Sequence, residues 1–143
     1  MTLQVADLLG SWQLVSWRVE YSGSRPDSYP FGSDATGLLM YAADGWMCAQ
    51  MSQRQRSRLS APSARIASTE SKARALDEYL AYAGTWSLQG DTVRHQVKFA
   101  LNPVLIGTEQ VREGRLVAGR LALMADEQDG EAGSRRHLIE WQR

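Results

Sequence analysis

Gly10-Ser11-Trp12-Gln13-Leu14-Val15-Ser16-Trp17-Arg18-Val19-Glu20-Tyr21 and Trp141-Gln142-Arg143 are the passages on which the fold turns. The first is rich in β-branched and aromatic residues and reads as a long strand. The second closes a strand at the other end of the chain. A closed barrel sets its first and last strands side by side, because an unpaired edge is a liability. Arg143 can then stack on Trp12 at the barrel floor. A guanidinium over an indole face is worth ~0.5–2 kcal/mol, depending on how dry it is. A small closed barrel either fills itself with side chains or holds one small ligand.

Length and charge are consistent with one domain, residues 1–143. A chain of this size buries ~68–70% of its unfolded surface, enough for a single core. Sixteen basic and 16 acidic residues cancel. That balance argues against nucleic-acid binding, which needs a basic surface. No apolar run reaches the ~20 residues of a membrane span. Residues 1–9 carry Asp7, lack a basic lead and are too short for a secretion signal. Cys48 stands alone, so no internal disulfide forms and a reducing compartment is permitted. The expectation is a cytoplasmic, soluble protein.

Turn signals divide the rest. Residues 22–36 hold Gly23, Pro26, Pro30, Gly32 and Asp34 and read as an irregular loop. Residues 37–42 and 46–51 read as strands joined by Ala43-Asp44-Gly45, where Asp-Gly suits positive φ. Residues 52–67 carry Arg54, Arg56, Arg58 and Arg65 with no acid, and read as a loop. Such a loop can cover a barrel mouth and attract an anion, or simply lie solvated. The period then changes. Ser68 or Thr69 caps a helix, Glu70 favours its first turn, and Ala73, Leu76, Leu80 and Ala83 form one apolar stripe. Gly84 is placed to end it, so the helix is expected near 69–83. Strands follow near 85–89, 92–100, 107–113, 116–125 and 136–142. Turn signals lie at Gly90-Asp91, Asn102-Pro103, Glu113-Gly114 and Gln128-Asp129-Gly130. The fold class is therefore mainly β: an eight-stranded antiparallel up-and-down barrel with one helix.

The cleanest alternation places Val93, His95, Val97 and Phe99 on one face and Arg94, Gln96 and Lys98 on the other. His95 then points inward among apolar neighbours. A buried imidazole without hydrogen-bond partners costs about 1–3 kcal/mol, and desolvation favours its neutral form. It is either a core histidine bonded to a tyrosine or water, or a group for ligand recognition or proton transfer. In residues 108–112 the inward face is polar on either parity, with Gln110 and Arg112 assigned inside; Arg112 alternatively snorkels at the mouth. His137 shares a face with Ile139 and Trp141, yet beside Arg135 and Arg136 it is expected to be exposed. Trp12 and Trp17 are five apart, so a regular strand sends them to opposite faces unless a bulge intervenes.

Several stretches, in order along nearly the whole chain, carry a resemblance. They are Leu9-Gly10-Ser11-Trp12-Gln13-Leu14-Val15-Ser16-Trp17, residues 30–41, Asp44-Gly45-Trp46-Met47-Cys48-Ala49-Gln50, Tyr82-Ala83-Gly84-Thr85-Trp86, Val93-Arg94-His95-Gln96-Val97, Gly107-Thr108-Glu109-Gln110-Val111-Arg112 and Leu138-Ile139-Glu140-Trp141-Gln142-Arg143. Together they resemble the bacterial and fungal lipocalin-like domain family. The resemblance implies an eight-stranded up-and-down barrel with an internal cavity faced by Tyr41, Tyr82, His95, Gln110 and Arg112. Unlike secreted lipocalins, the chain shows no signal peptide or disulfide, which speaks against carriage of extracellular ligands.

Enzyme motifs are missing. Two histidines and one cysteine, with no Cys-x-x-Cys or His-Glu-x-x-His, argue against zinc. No Gly-x-Gly-x-x-Gly, Walker loop or Gly-x-Ser-x-Gly elbow is present, so no cofactor is expected. Cys48 can face His95 or serve as a small core residue. Three classes stand. A binding protein would hold a small hydrophobic or aromatic molecule against Tyr41, Trp46, Tyr82, Trp86 and Phe99, with His95, Gln110 and Arg112 as polar contacts. A cofactor-free isomerase, cyclase or hydratase would move a proton through His95, its catalytic residue. A self-filled barrel would serve as an interaction module. A barrel has no free strand edges, so the expected state is a monomer, or a homodimer through the helix or an outward Trp.

Overall fold

The computed structural model describes residues 2–128 and 133–143. Eight antiparallel strands close in sequence order, each hydrogen-bonded to the next and the last to the first. They are β1 (Gly10–Tyr21), β2 (Thr36–Tyr41), β3 (Trp46–Ser52), β4 (Tyr79–Gln89), β5 (Thr92–Ala100), β6 (Glu109–Val117), β7 (Arg120–Gln128) and β8 (Ser134–Gln142). A one-turn helix α1 (Val5–Leu8) precedes β1, α2 (Thr69–Asp77) lies between β3 and β4, and a 3-10 turn spans Pro103–Leu105. No helix among the described residues is long and apolar enough to cross a membrane.

The expected closure is present. β1 pairs with β8, with Leu14 opposite Trp141 and Val19 opposite His137. The Arg143 guanidinium lies 4.0 Å from the Trp12 ring centre. It also donates to the carbonyls of Leu9 and Asp7, tying the C-terminus to the turn before β1. α1 plugs this end: Leu8 is fully buried and its carbonyl accepts the Trp12 indole N–H. Burying such a leucine contributes ~1.5–3 kcal/mol. The register of β1 against β8 shifts between Leu14 and Ser16. That bulge reverses the parity of β1, so Trp12 and Trp17 both point inward and Arg18 turns out to Glu20 and Glu140.

The helix near 69–83 forms, capped by Ser68 as the sequence suggested, but it ends at Asp77. Residues 79–84 belong to β4. Leu76 and Leu80 are four apart, a spacing that a helix and a strand share, so the stripe ran across the boundary. Gly84 ends no helix: it lies in β4 against β5, where a Cβ would overlap the Gln96 carbonyl oxygen. Glu113-Gly114 is likewise not a turn. Gly114 sits inside β6 opposite Leu123, and a Cβ there would stand 2.7 Å from a Leu3 methyl. The β6–β7 turn uses Ala118 and Gly119, both with positive φ. The expected turn at Gln128-Asp129-Gly130 falls on residues 129–130, outside the described residues.

Candidate functional site

Inward side chains fill the barrel from the α1 end upward and leave a cavity of about 350 Å³ above them. Leu8, Trp12, Val93, Leu121 and Trp141 form the packed lower core. Tyr41 and Trp86 make the next layer, ring centres 4.6 Å apart, with the Trp86 indole N–H on the Ala42 carbonyl. The cavity walls are Leu39, Ala49, Met51, Leu80, Leu123 and Ile139, with Trp17 and Leu105 toward the mouth. The volume lies within the ~300–1,000 Å³ common to small-molecule pockets. The barrel is thus self-filled only in its lower part.

β5 carries His95 inward between Val93 and Val97, and these three are nearly inaccessible. Both imidazole nitrogens are engaged. The Tyr41 hydroxyl lies 2.7 Å from Nε2 and the Tyr82 hydroxyl 2.6 Å from Nδ1. Tyr41 comes from β2, Tyr82 from β4 and His95 from β5, so the row crosses the interior. Burial, and then the nearby Arg112 charge, push His95 down to about 3, so the ring is neutral at ordinary pH. Burial raises both tyrosines above the usual phenol range, against the opposing pull of Arg112.

β6 supplies Gln110 and Arg112 to the cavity wall, as its assigned parity requires. Thr108, Gln110 and Arg112 form a chain. The Thr108 hydroxyl donates to the Leu105 carbonyl, Gln110 Nε2 donates to Thr108 Oγ1, and Arg112 Nη2 donates to Gln110 Oε1. Arg112 Nη1 donates to the Val111 carbonyl. At the mouth, Trp17 Nε1 donates to His137 Nδ1, and His137 Nε2 is 2.8 Å from Glu127. Hydrogen bonds from Arg135 and His137 hold Glu127 down to about 2. Asp126 is bonded by Arg136, which lowers it as well.

Of the residues singled out in the sequence, Tyr82, His95, Gln110 and Arg112 meet around the cavity, with Tyr41 and Trp86 packed beneath. Trp46 and Phe99 do not. Phe99 is 64% exposed, because the β4–β5 register shifts at Ala83/Gly84 and Lys98 is the extra residue. The alternation that carries Val93, His95 and Val97 inward therefore stops before Phe99. Trp46 is 46% exposed, on the opposite face of β3 from Met47, Ala49 and Met51. Cys48 shares that outward parity and does not face His95. None of Arg54, Arg56, Arg58 and Arg65 lines the cavity. Arg54 bonds the Asp34 carbonyl, and Arg56 bonds Ala75 and lies over Tyr79. His137, expected outside, lines the cavity; its parity with Ile139 and Trp141 was the signal for it. Trp17 and Glu127 gave no clear sign, since one depends on a bulge and the other on the exact register of β7. Among the described residues no cluster of three metal-ligating side chains occurs.

The chain matches the family model described as Lipocalin-like domain over residues 9–143. No curated protein matches. A solved structure of an uncharacterized protein from Bacteroides eggerthii is similar at 12% identity, over 95% of this chain and 99% of that one, with a TM-score of 0.44. The family match spans every strand of the barrel, and the chain belongs to the lipocalin-like domain family.

Proposed function

We propose that this protein binds a small hydrophobic or aromatic metabolite in its barrel cavity. The observation that carries the reading is the cavity itself: about 350 Å³, walled by aliphatic side chains, with Tyr82, His95, Gln110 and Arg112 converging on it. Apolar walls supply affinity and a few fixed polar groups supply orientation. The row Tyr41–His95–Tyr82 is bonded before any ligand arrives, so little order has to be imposed on binding.

The alternative, a cofactor-free isomerase, cyclase or hydratase with His95 as acid–base, is less well supported. Both ring nitrogens of His95 are committed to tyrosines, and its pKa of about 3 makes it a weak base at neutral pH. The closed barrel offers no strand edge for self-association, which suits a monomer.

Trp17 and Trp141 line the cavity, so a bound ligand changes indole emission. Native mass spectrometry of the purified protein, followed by a fluorescence scan of a metabolite panel, tests the reading. A retained or quenching ligand whose affinity falls in His95→Gln supports it. A panel with no binder, together with unchanged fluorescence throughout, refutes it.

A further inference from the structure

The protons of the buried row give the site a direction. A neutral imidazole has one N–H and one lone pair, and each phenol has one O–H. Three protons serve two hydrogen bonds, Tyr41 to Nε2 and Tyr82 to Nδ1. The tyrosine that accepts from the imidazole keeps an unused O–H. Tyr41 is 2% exposed, does not line the cavity, and has no other partner for its hydroxyl among the described residues. An unused proton there is buried and unpaired, which is unfavourable. Tyr82 lines the cavity, where its proton can meet a ligand. The favoured tautomer is therefore Nδ1–H: Tyr41 donates to Nε2, Nδ1 donates to Tyr82, and the Tyr82 O–H is turned to the cavity.

Arg112 adds a charge to the same wall. Its guanidinium bonds only neutral acceptors, the Val111 carbonyl and Gln110 Oε1. No carboxylate of the described residues pairs with it, whereas Asp126 and Glu127 at the mouth are held by Arg136, and by Arg135 with His137. Gln110 cannot turn its oxygen to a ligand without giving up Arg112. The inner wall thus offers two donors and one uncompensated positive charge, bordered by Leu39, Met51 and Ile139.

We propose that the cavity selects a small organic carboxylate with an apolar or aromatic body, its anionic group on the Arg112 guanidinium and an oxygen accepting from Tyr82. This rests on the cavity being a ligand site and adds the class of ligand. Charge-assisted, bidentate hydrogen bonds to guanidinium favour such a group over a neutral isostere.

The probes are a naphthoate and the matching naphthamide, equal in shape and different in charge. Isothermal titration should show the acid binding at least about tenfold tighter than the amide. Arg112→Gln should weaken the acid by about ten- to a hundredfold and leave the amide within about threefold, while Arg112→Lys keeps the preference for the acid. Nitrogen NMR of His95 should report a protonated Nδ1 and a bare Nε2. Equal affinities for acid and amide, or an acid preference that survives Arg112→Gln, overturn the selection while leaving the cavity reading intact. A protonated Nε2 overturns the Tyr82 contact. Failure of both probes to bind counts against this inference and the binding function together.

Discussion

Lowering the pH should cost this protein stability through His95, starting at a higher pH than its carboxylates titrate. In the folded state burial and Arg112 hold the imidazole at about 3, against an ordinary 6.5. Below 6.5 the unfolded chain takes up a proton that the folded chain refuses, so unfolding is favoured as pH falls. The contribution is complete above 6.5 and is lost progressively down to about 3. Each unit of pH well inside that window removes about 1.4 kcal/mol. At pH 4.5, where an ordinary glutamate is half protonated and the lowered Glu127 is still charged, the His95 loss alone is roughly 2–3 kcal/mol. Denaturant unfolding followed by Trp emission, from neutral pH down to that point, measures it. His95→Gln is the reference, because an amide can bond a tyrosine but never takes the proton. The variant should be less stable at neutral pH, and the gap to wild type should close by about that same 2–3 kcal/mol as the pH falls. A gap constant to within ~0.5 kcal/mol would mean that His95 titrates alike in both states, and the buried, neutral row would be wrong.

Two further outcomes test the frame that holds the site. Gly84→Ala places a Cβ on the Gln96 carbonyl at the β4–β5 bulge, so it should destabilise by at least the ~1–3 kcal/mol of an overpacked site, read from its urea midpoint. Arg143→Ala removes the cation over Trp12 and two hydrogen bonds to the Leu9 and Asp7 carbonyls; a loss of about 1–2 kcal/mol in the same titration is expected, and no loss would mean that the closing residue is ornamental.

Architecture was readable from the sequence because it depends on coarse signals. Strand runs, Asp-Gly and Asn-Pro turns and the Trp12–Arg143 pairing survive an error of a residue or two. Facing does not survive it. Val93, His95 and Val97 were placed correctly by alternation, and Phe99 was not, because one extra residue at Lys98 reverses the parity. The bulge between Leu14 and Ser16 did the same for Trp17, and there the five-residue spacing from Trp12 at least announced a conflict. α1 was missed because its single turn is too short for any periodicity. The end of α2 was misplaced because Leu76 and Leu80 satisfy both periods.

The two bulges and the two polar networks together explain why the cavity has a polar end and what that implies for binding. The β1 bulge brings Trp17 to the mouth, where it joins His137 and Glu127. The β5 bulge ends the inward run after Val97, so His95 is the last polar group that strand gives to the interior. Between the networks lie Leu39, Ala49, Met51, Leu123 and Ile139, which offer no hydrogen bond from their side chains. Within the mouth network the charges are matched, Glu127 against Arg135 and Asp126 against Arg136. At the inner wall Arg112 is not matched. A ligand that spans the aliphatic stretch therefore gains from a polar group only at its inner end. Placing an acid there offsets a half-buried guanidinium that the wall itself gives no counter-charge. Arg112→Leu separates the two sides of this account. It should leave the empty protein as stable or more so, because a costly charge is gone, while abolishing the preference for an acid over its amide. A clear loss of stability in the empty Arg112→Leu protein would place the guanidinium among the structural groups of the wall.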